Sequence, residues 1–502
     1  MITHKPKIQR LFAAAAVILT SLMMISTSLH VSAADADSVL NNSEWNDFVE
    51  EKMNQDDIPG LSLSMVNGSD TGFRNWGYAD ISDKTPMTET TPLYIGSCSK
   101  AFTALSIMLL QEEGKLSIED SVADYIPWWH VTFNGKDTDI KIWQLLEHCS
   151  GIPNSTMMKI PAGTDDSLFE ETVRIAEDLE LVREPGSGFE YCNLGYDILA
   201  YITQTVSGMP FEDFMKQEIF LPIGMTHSGY DIPSAQGYRR AFCHASPYDA
   251  PFYRGGYGDG QIISTAEDMA HWLDAQLGHS DIPEKLANAI KASHEPANGR
   301  IFKMNDFGME YCNGWIHYNG YLYHNGTNPN FASIVIVDTK NDVGIFSDSN
   351  IWANTPDYAA NSLYQTIKGE TINREQLNVP DTCIIMDTVS TALIIICAAL
   401  MLFIIILLLT QKKRLAKKQT TLRKERLKLC VRLIILLIAL ALLILIPNAI
   451  SIVAGYGMLS SVMLTVWMPY TFTIAITMSA LTILLAAFLS ISRYNKRKNT
   501  AS

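Results

Sequence analysis

The sequence predicts a mixed α/β fold of the α+β kind: one antiparallel sheet with a helical insert, followed by three membrane-spanning helices. Three observations carry this. Alternating runs rich in β-branched and aromatic residues stand at 61–66 and 73–79, and again far downstream at 311–318, 321–325, 331–338 and 342–348. Helical patterns fill the middle, at 97–113, 141–148, 194–206 and 265–277. Finally, three uncharged apolar stretches of about 20 residues lie at 388–410, 433–453 and 468–491, each long enough for a hydrocarbon core about 30 Å thick.

Taken in order, residues 1–33 read as an export signal. Lys5, Lys7 and Arg10 precede an apolar run from Leu11 to Ile25, and Val31-Ser32-Ala33 offers small residues for cleavage. An uncleaved N-terminal anchor is the competing reading, and either one sends the next segment across a membrane. The first two strands are joined by Asn67-Gly68-Ser69-Asp70-Thr71-Gly72, a hairpin-type turn. The helix after Ser97 is apolar at Phe102, Leu105, Met108 and Leu109 and stops at Gly114. Strands at both ends with helices between them imply a sheet whose edges come from distant parts of the chain. The expected organisation is an outer domain at 34–368, a linker at 369–387, a basic loop at 411–432 and a tail at 492–502.

Charge orients these parts. The loop at 411–432 holds ten Lys and Arg, the tail holds four, and the stretch 454–467 holds none. By the positive-inside rule the loop and tail are cytoplasmic and residues 34–387 lie outside. In that outer segment 21 basic residues face 52 acidic ones, a net charge of about −31, which argues against nucleic acid or an anionic polymer as a broadly held partner. Six cysteines fall there (Cys98, Cys149, Cys192, Cys243, Cys312 and Cys383) without C-x-x-C or tight spacing. Mostly free, buried thiols are expected, and a single disulfide stays open.

The chemistry starts at Ser97-Cys98-Ser99-Lys100, the one S-x-x-K in the chain. At i and i+3 on a helix start, the hydroxyl and the amine share a face. The helix N-terminus favours developing negative charge. Serine needs a base to become a nucleophile, and a lysine acts as one only where burial or nearby cations lower its affinity for the proton. A second candidate is Tyr191-Cys192-Asn193, after the bend Pro185-Gly186-Ser187-Gly188. Its phenol can relay a proton, and its amide can hold Lys100 or a substrate. Tyr-Cys-Asn recurs at 311–313, inside a strand, and that copy reads as structural. The third candidate is His324-Asn325-Gly326-Thr327. Gly326 lets a substrate backbone approach the strand, and the N–H groups of Thr327 and Ser97 can form an oxyanion hole. Alone, His324 is more often a satisfied structural histidine. Asp259, between Gly258 and Gly260, can line the pocket but reads first as a turn residue, and Tyr94 and Trp315 read as core or pocket wall. His294-Glu295 lacks the second histidine of a zinc-protease motif, so no metal and no cofactor is assigned.

The order S-x-x-K, Y-x-N, H-x-G resembles the family of class C β-lactamases, serine D,D-peptidases of the low-molecular-weight penicillin-binding type, and related esterases and D-aminopeptidases. Flanking blocks at 95–104, 142–153 and 260–269 resemble it too, and the likeness covers about 45–365. The resemblance implies a β-lactamase/transpeptidase-like antiparallel sheet flanked by helices, with the site between sheet and helical subdomain. It also implies an acyl-enzyme on Ser97, with Lys100 and Tyr191 handling protons. Asn193 would orient the substrate, and His324 would bind its carboxylate or assist the hydroxyl. Where most β-lactamases of the family carry Lys-Thr-Gly, this chain has His324-Asn325-Gly326. An imidazole carries little charge at neutral pH, so efficient β-lactam hydrolysis is demoted. The expected partner is a small peptide, ester or β-lactam, with a D,D-peptidase-like activity first, and a broad esterase, a β-lactamase or a non-enzymatic penicillin receptor behind it. Oligomeric state is not legible.

Overall fold

The computed structural model describes residues 36–501 apart from 297–298, 301, 306–307, 376, 378–380, 412–420, 454–459 and 461. The export signal and much of the basic loop lie outside the described residues. The chain divides into two compact units.

The larger unit is built on a nine-stranded antiparallel sheet. From one edge its order runs Phe302–Lys303, Glu310–Cys312, Trp315–Tyr318, Tyr321–Asn328, Phe331–Asp338, Val343–Ser349, Gly60–Asn67, Asp70–Asp80 and Thr85–Pro86. The closing pair joins the two ends of the domain, Leu61 opposite Ser349 and Asn67 opposite Val343. Gly60–Asn67, Phe331–Asp338 and Val343–Ser349 are buried at every position, so both faces of the sheet are covered. Helix Thr355–Ile367 packs on Phe331–Asp338, on Val343–Ser349 and on helix Ser43–Gln55, while Ala266–Leu277 packs on Val343–Ser349 and Gly60–Asn67. The helical part gathers around Ser99–Glu112, which packs against Asn193–Ser207 and Glu284–Ser293.

Two elements differ from the sequence reading. The run 311–318 is not one strand. Asn313 and Gly314 both take positive φ (49° and 84°) and fold it into a hairpin, in which Cys312 pairs with Trp315. The run 321–325 continues to Asn328, because Phe331–Asp338 pairs with it as far as Asn328 opposite Phe331. All eight cysteines are free, and Cys243 and Cys430 are exposed.

Among the described residues the smaller unit has three helices long and apolar enough to cross a membrane: Thr382–Leu409, Leu422–Val453 and Tyr470–Ala501. The third packs against both others, and Ser479 lies 3.5 Å from Cys397 Sγ. Large apolar side chains such as Leu402, Leu437 and Leu484 point outward, as hydrocarbon rather than water favours. The first helix starts within the stretch read as linker. The second starts at Leu422, since Lys, Arg, Glu and Leu are strong helix formers and extend the apolar span without a break.

Candidate active site

Ser97 sits in a tight 3-10 turn, Gly96–Cys98, that leads directly into helix Ser99–Glu112. The turn is pressed against the edge of strand Tyr321–Asn328. Gly96 has φ 51°, and a Cβ there would strike the backbone nitrogen of Thr327; one on Gly326 would strike the carbonyl of Ile95. Neither position has room for a side chain, so the Ser97 turn and the strand meet backbone to backbone. Ser333 Oγ donates to Ile95 O at 2.6 Å, and Cys98 Sγ donates to His324 O at 3.2 Å, tying the two elements from behind. The packing at Gly96 sets the Thr327 N–H beside the Ser97 turn, as an oxyanion hole requires.

Lys100 is fully buried. Its Nζ lies 3.1 Å from Ser97 Oγ and 2.7 Å from the carbonyl of Asp259, with the rings of Tyr191 and Tyr196 5.1 and 5.6 Å away. Tyr191 donates its hydroxyl to Ser97 Oγ at 3.0 Å. The serine hydroxyl thus has an amine on one side and a phenol on the other, both within hydrogen-bond distance. Asn193 opens helix Asn193–Ser207; its Nδ2 faces Met157 Sδ at 3.8 Å, and its buried Oδ1 has no hydrogen-bond partner. A buried amide oxygen without a partner costs free energy unless a ligand supplies a donor.

His324 is nearly inaccessible, 2% exposed. Burial and the Lys100 charge push its imidazole down to about 3, so the ring is neutral. Nδ1 lies 2.7 Å from Asn325 O, and Nε2 lies 3.1 Å from the hydroxyl of Tyr311.

Sequence reasoning missed two residues here. Tyr311, set aside as the structural copy of Tyr-Cys-Asn, is fully buried and touches His324. His148 lies in the block at 142–153 but was given no role. Its ring lies 4.2 Å from that of Tyr191 and 4.5 Å from that of Tyr311, and its Nδ1 accepts from the backbone N–H of Cys192 at 3.1 Å. It therefore props the loop that carries Tyr191. Burial, with Lys100 and His324 nearby, holds it well below the ordinary histidine range. The sequence signal available for His148 was its place between Glu147 and Cys149 in a motif block, which by itself gives no contact.

A further acid lies behind Lys100. Asp197 is fully buried, and neither carboxyl oxygen has a close hydrogen-bond partner. Burial and the neighbouring Asp259 carboxylate push it well above the usual carboxylate range, against the pull of the Lys100 ammonium and the amides of Gly258 and Asp259. Asp259, read from sequence as a turn residue, supplies the carbonyl that holds Lys100. Among the described residues no group of three or more His, Cys, Asp or Glu is arranged to hold a metal.

Residues 45–368 match the family model described as Beta-lactamase. The chain belongs to that family. Among curated relatives, Protein flp of Staphylococcus aureus (strain COL) is 28% identical over 313 residues, a match covering 61% of this chain and 62% of the relative. The chain therefore spans less than two thirds of that relative's length. Among solved structures, the octameric penicillin-binding protein homologue from Pyrococcus abyssi is 26% identical, with a TM-score of 0.58 over 70% of this chain and 81% of that one. A class C β-lactamase (19% identity, TM-score 0.57, 68% of this chain and 98% of that one) shares the fold. So does the D-alanine carboxypeptidase AmpC from Burkholderia cenocepacia (22%, 0.54, 66% and 99%).

Proposed function

We propose that this chain is a membrane-anchored serine hydrolase that forms an acyl-enzyme on Ser97, with its catalytic unit outside the membrane. Its substrates on this reading are D-alanyl peptides or esters of the cell envelope. The observation that carries the proposal is the convergence of Lys100 Nζ and Tyr191 Oη on Ser97 Oγ, at 3.1 and 3.0 Å.

In this mechanism Ser97 Oγ attacks the substrate carbonyl. Its proton passes to Lys100, and through Tyr191 to the leaving oxygen or nitrogen. The N–H groups of Ser97 and Thr327 stabilise the oxyanion, and Gly326 lets the acyl chain lie against the strand. The Asn193 amide orients the substrate, and His324 stands at the leaving-group end. Water then attacks the acyl-serine carbon, loses its proton to the same pair, and returns Ser97 as the hydroxyl with release of the acid.

The basic loop and tail support an outward-facing catalytic unit through the positive-inside rule. The P. abyssi neighbour, a penicillin-binding protein homologue, brings penicillin-binding chemistry into consideration, and the imidazole at 324 weighs against efficient β-lactam turnover. The test is intact-mass analysis of the full-length chain in detergent with benzylpenicillin, with a D-Ala-D-Ala peptide and with a D-alanyl ester. An acyl adduct that Ser97→Ala abolishes in a folded protein is expected. Labelling that persists in the Ser97→Ala variant would overturn the proposal.

A further inference from the structure

Position 324 carries an imidazole, and its hydrogen bonds fix what it can do. A backbone carbonyl only accepts, so the 2.7 Å contact with Asn325 O puts the ring proton on Nδ1. In a neutral ring Nε2 then has only a lone pair, and the Tyr311 hydroxyl at 3.1 Å donates to it. Both nitrogens are spent. Tyr311 has little freedom to release its hold. It is fully buried, pairs across the hairpin with Ile316, and is packed among the rings of His148 (4.5 Å), Phe189 (5.9 Å) and Tyr191 (6.2 Å).

We propose that Tyr311 is a specificity-determining positioning residue: by occupying Nε2 of His324 it withdraws the donor that a leaving-group carboxylate would need. The chain then turns over acyl esters and amides whose leaving group is uncharged or cationic, and discriminates against those with a carboxylate beside the scissile bond. The physical cost to such a substrate is a carboxylate set against a neutral, lone-pair-bearing nitrogen in a buried setting. The surrounding field adds to it, since residues 34–387 carry 21 basic against 52 acidic side chains. This inference rests on the reading of Ser97 as the acylated nucleophile and narrows its substrate class.

The test compares N-acetyl-D-alanyl thioglycolate with N-acetyl-D-alanyl thioglycolamide, two thioesters that differ only in a carboxylate against its amide. Thiol release is followed with the full-length chain in detergent. The wild-type chain is expected to favour the amide-bearing compound about tenfold in kcat/KM. Tyr311→Phe lets Nε2 take a proton when a carboxylate docks, and is expected to narrow that ratio to about twofold. His324→Gln is expected to slow both compounds by the same factor, because the imidazole does not grip the carboxylate. Equal or faster turnover of thioglycolate by the wild type overturns the inference. So does a His324→Gln loss confined to thioglycolate, or a folded Tyr311→Phe variant with an unchanged ratio. An acyl adduct on Ser97 with equal rates sinks this inference alone, whereas no adduct with either compound sinks the hydrolase reading and this one with it.

Discussion

Lys100 Nζ donates to the backbone carbonyl of Asp259 at 2.7 Å, a contact that spans 159 residues of chain. The carbonyl holds the amine in place beside Ser97 whatever its partner's side chain does. Lys100→Arg keeps a positive charge and a donor for that carbonyl but cannot give up a proton at working pH. The expected result is a fall in kcat on a simple acyl ester of about 10²–10⁴-fold in a protein that still folds. A variant within tenfold of wild type would remove Lys100 from the role of base.

Asp197 places a buried carboxyl behind Lys100. Its carboxyl is held well above its ordinary range by burial and by Asp259, so it ionises only as pH rises. Once ionised, a carboxylate there opposes the loss of a proton from the cluster around Ser97. Asp197→Asn removes that charge without changing size. The ascending limb of kcat/KM against pH is expected to move down by about half a unit to one unit. An unmoved limb would separate Asp197 from proton handling.

Gly326→Ala should fail for a steric reason. The added methyl meets the Ile95 carbonyl and Ser333 Oγ, so the strand must back away from the Ser97 turn. A destabilisation of about 2 kcal/mol is expected in denaturant unfolding, with acylation lost because the Thr327 N–H leaves its place. An active, fully stable variant would show that the strand and the turn are not tightly coupled.

His324 also sets an acid limit on stability. Its folded value is about 3, against about 6.5 for an unfolded histidine. Between these values the unfolded chain binds the extra proton, so stability is present above about 6.5 and drains away as pH falls towards 3. At pH 4 this amounts to about 3 kcal/mol relative to pH 7. His324→Gln should therefore flatten the fall in urea midpoint between pH 7 and pH 4. A fall as steep as wild type would show that the ring is not neutral in the folded protein.

What the sequence disclosed follows from how local each signal is. Ser97 and Lys100 are three residues apart on one helix, so their meeting is a matter of helical geometry. Tyr191 and the strand at 324–327 required the family resemblance, because no spacing brings residue 191 to residue 97. Tyr311 escaped notice for a specific reason. The stretch 311–318 alternates like one strand, and only the positive φ of Asn313 and Gly314 turns it back on itself. Once turned, the register Ile316 opposite Tyr323 brings the first hairpin strand within reach of His324. The role of Asp259 was hidden because it is a backbone carbonyl that does the work, and residue type says nothing about a carbonyl.

The pairing of Gly60–Asn67 with Val343–Ser349 has a consequence for how the protein comes into being. Its sheet is fastened like a clasp, whose first half is made early in synthesis and whose second half arrives some 285 residues later, as the bond from Ser347 Oγ to Ser62 O records. The nucleophile turn waits just as long, since the strand that braces it, Tyr321–Asn328, comes from the same late stretch. A chain cut short anywhere before residue 343 thus lacks the fastening strand and leaves Gly60–Asn67 as a bare edge. Nonsense or frameshift products that end before residue 343 would be inert and prone to aggregate.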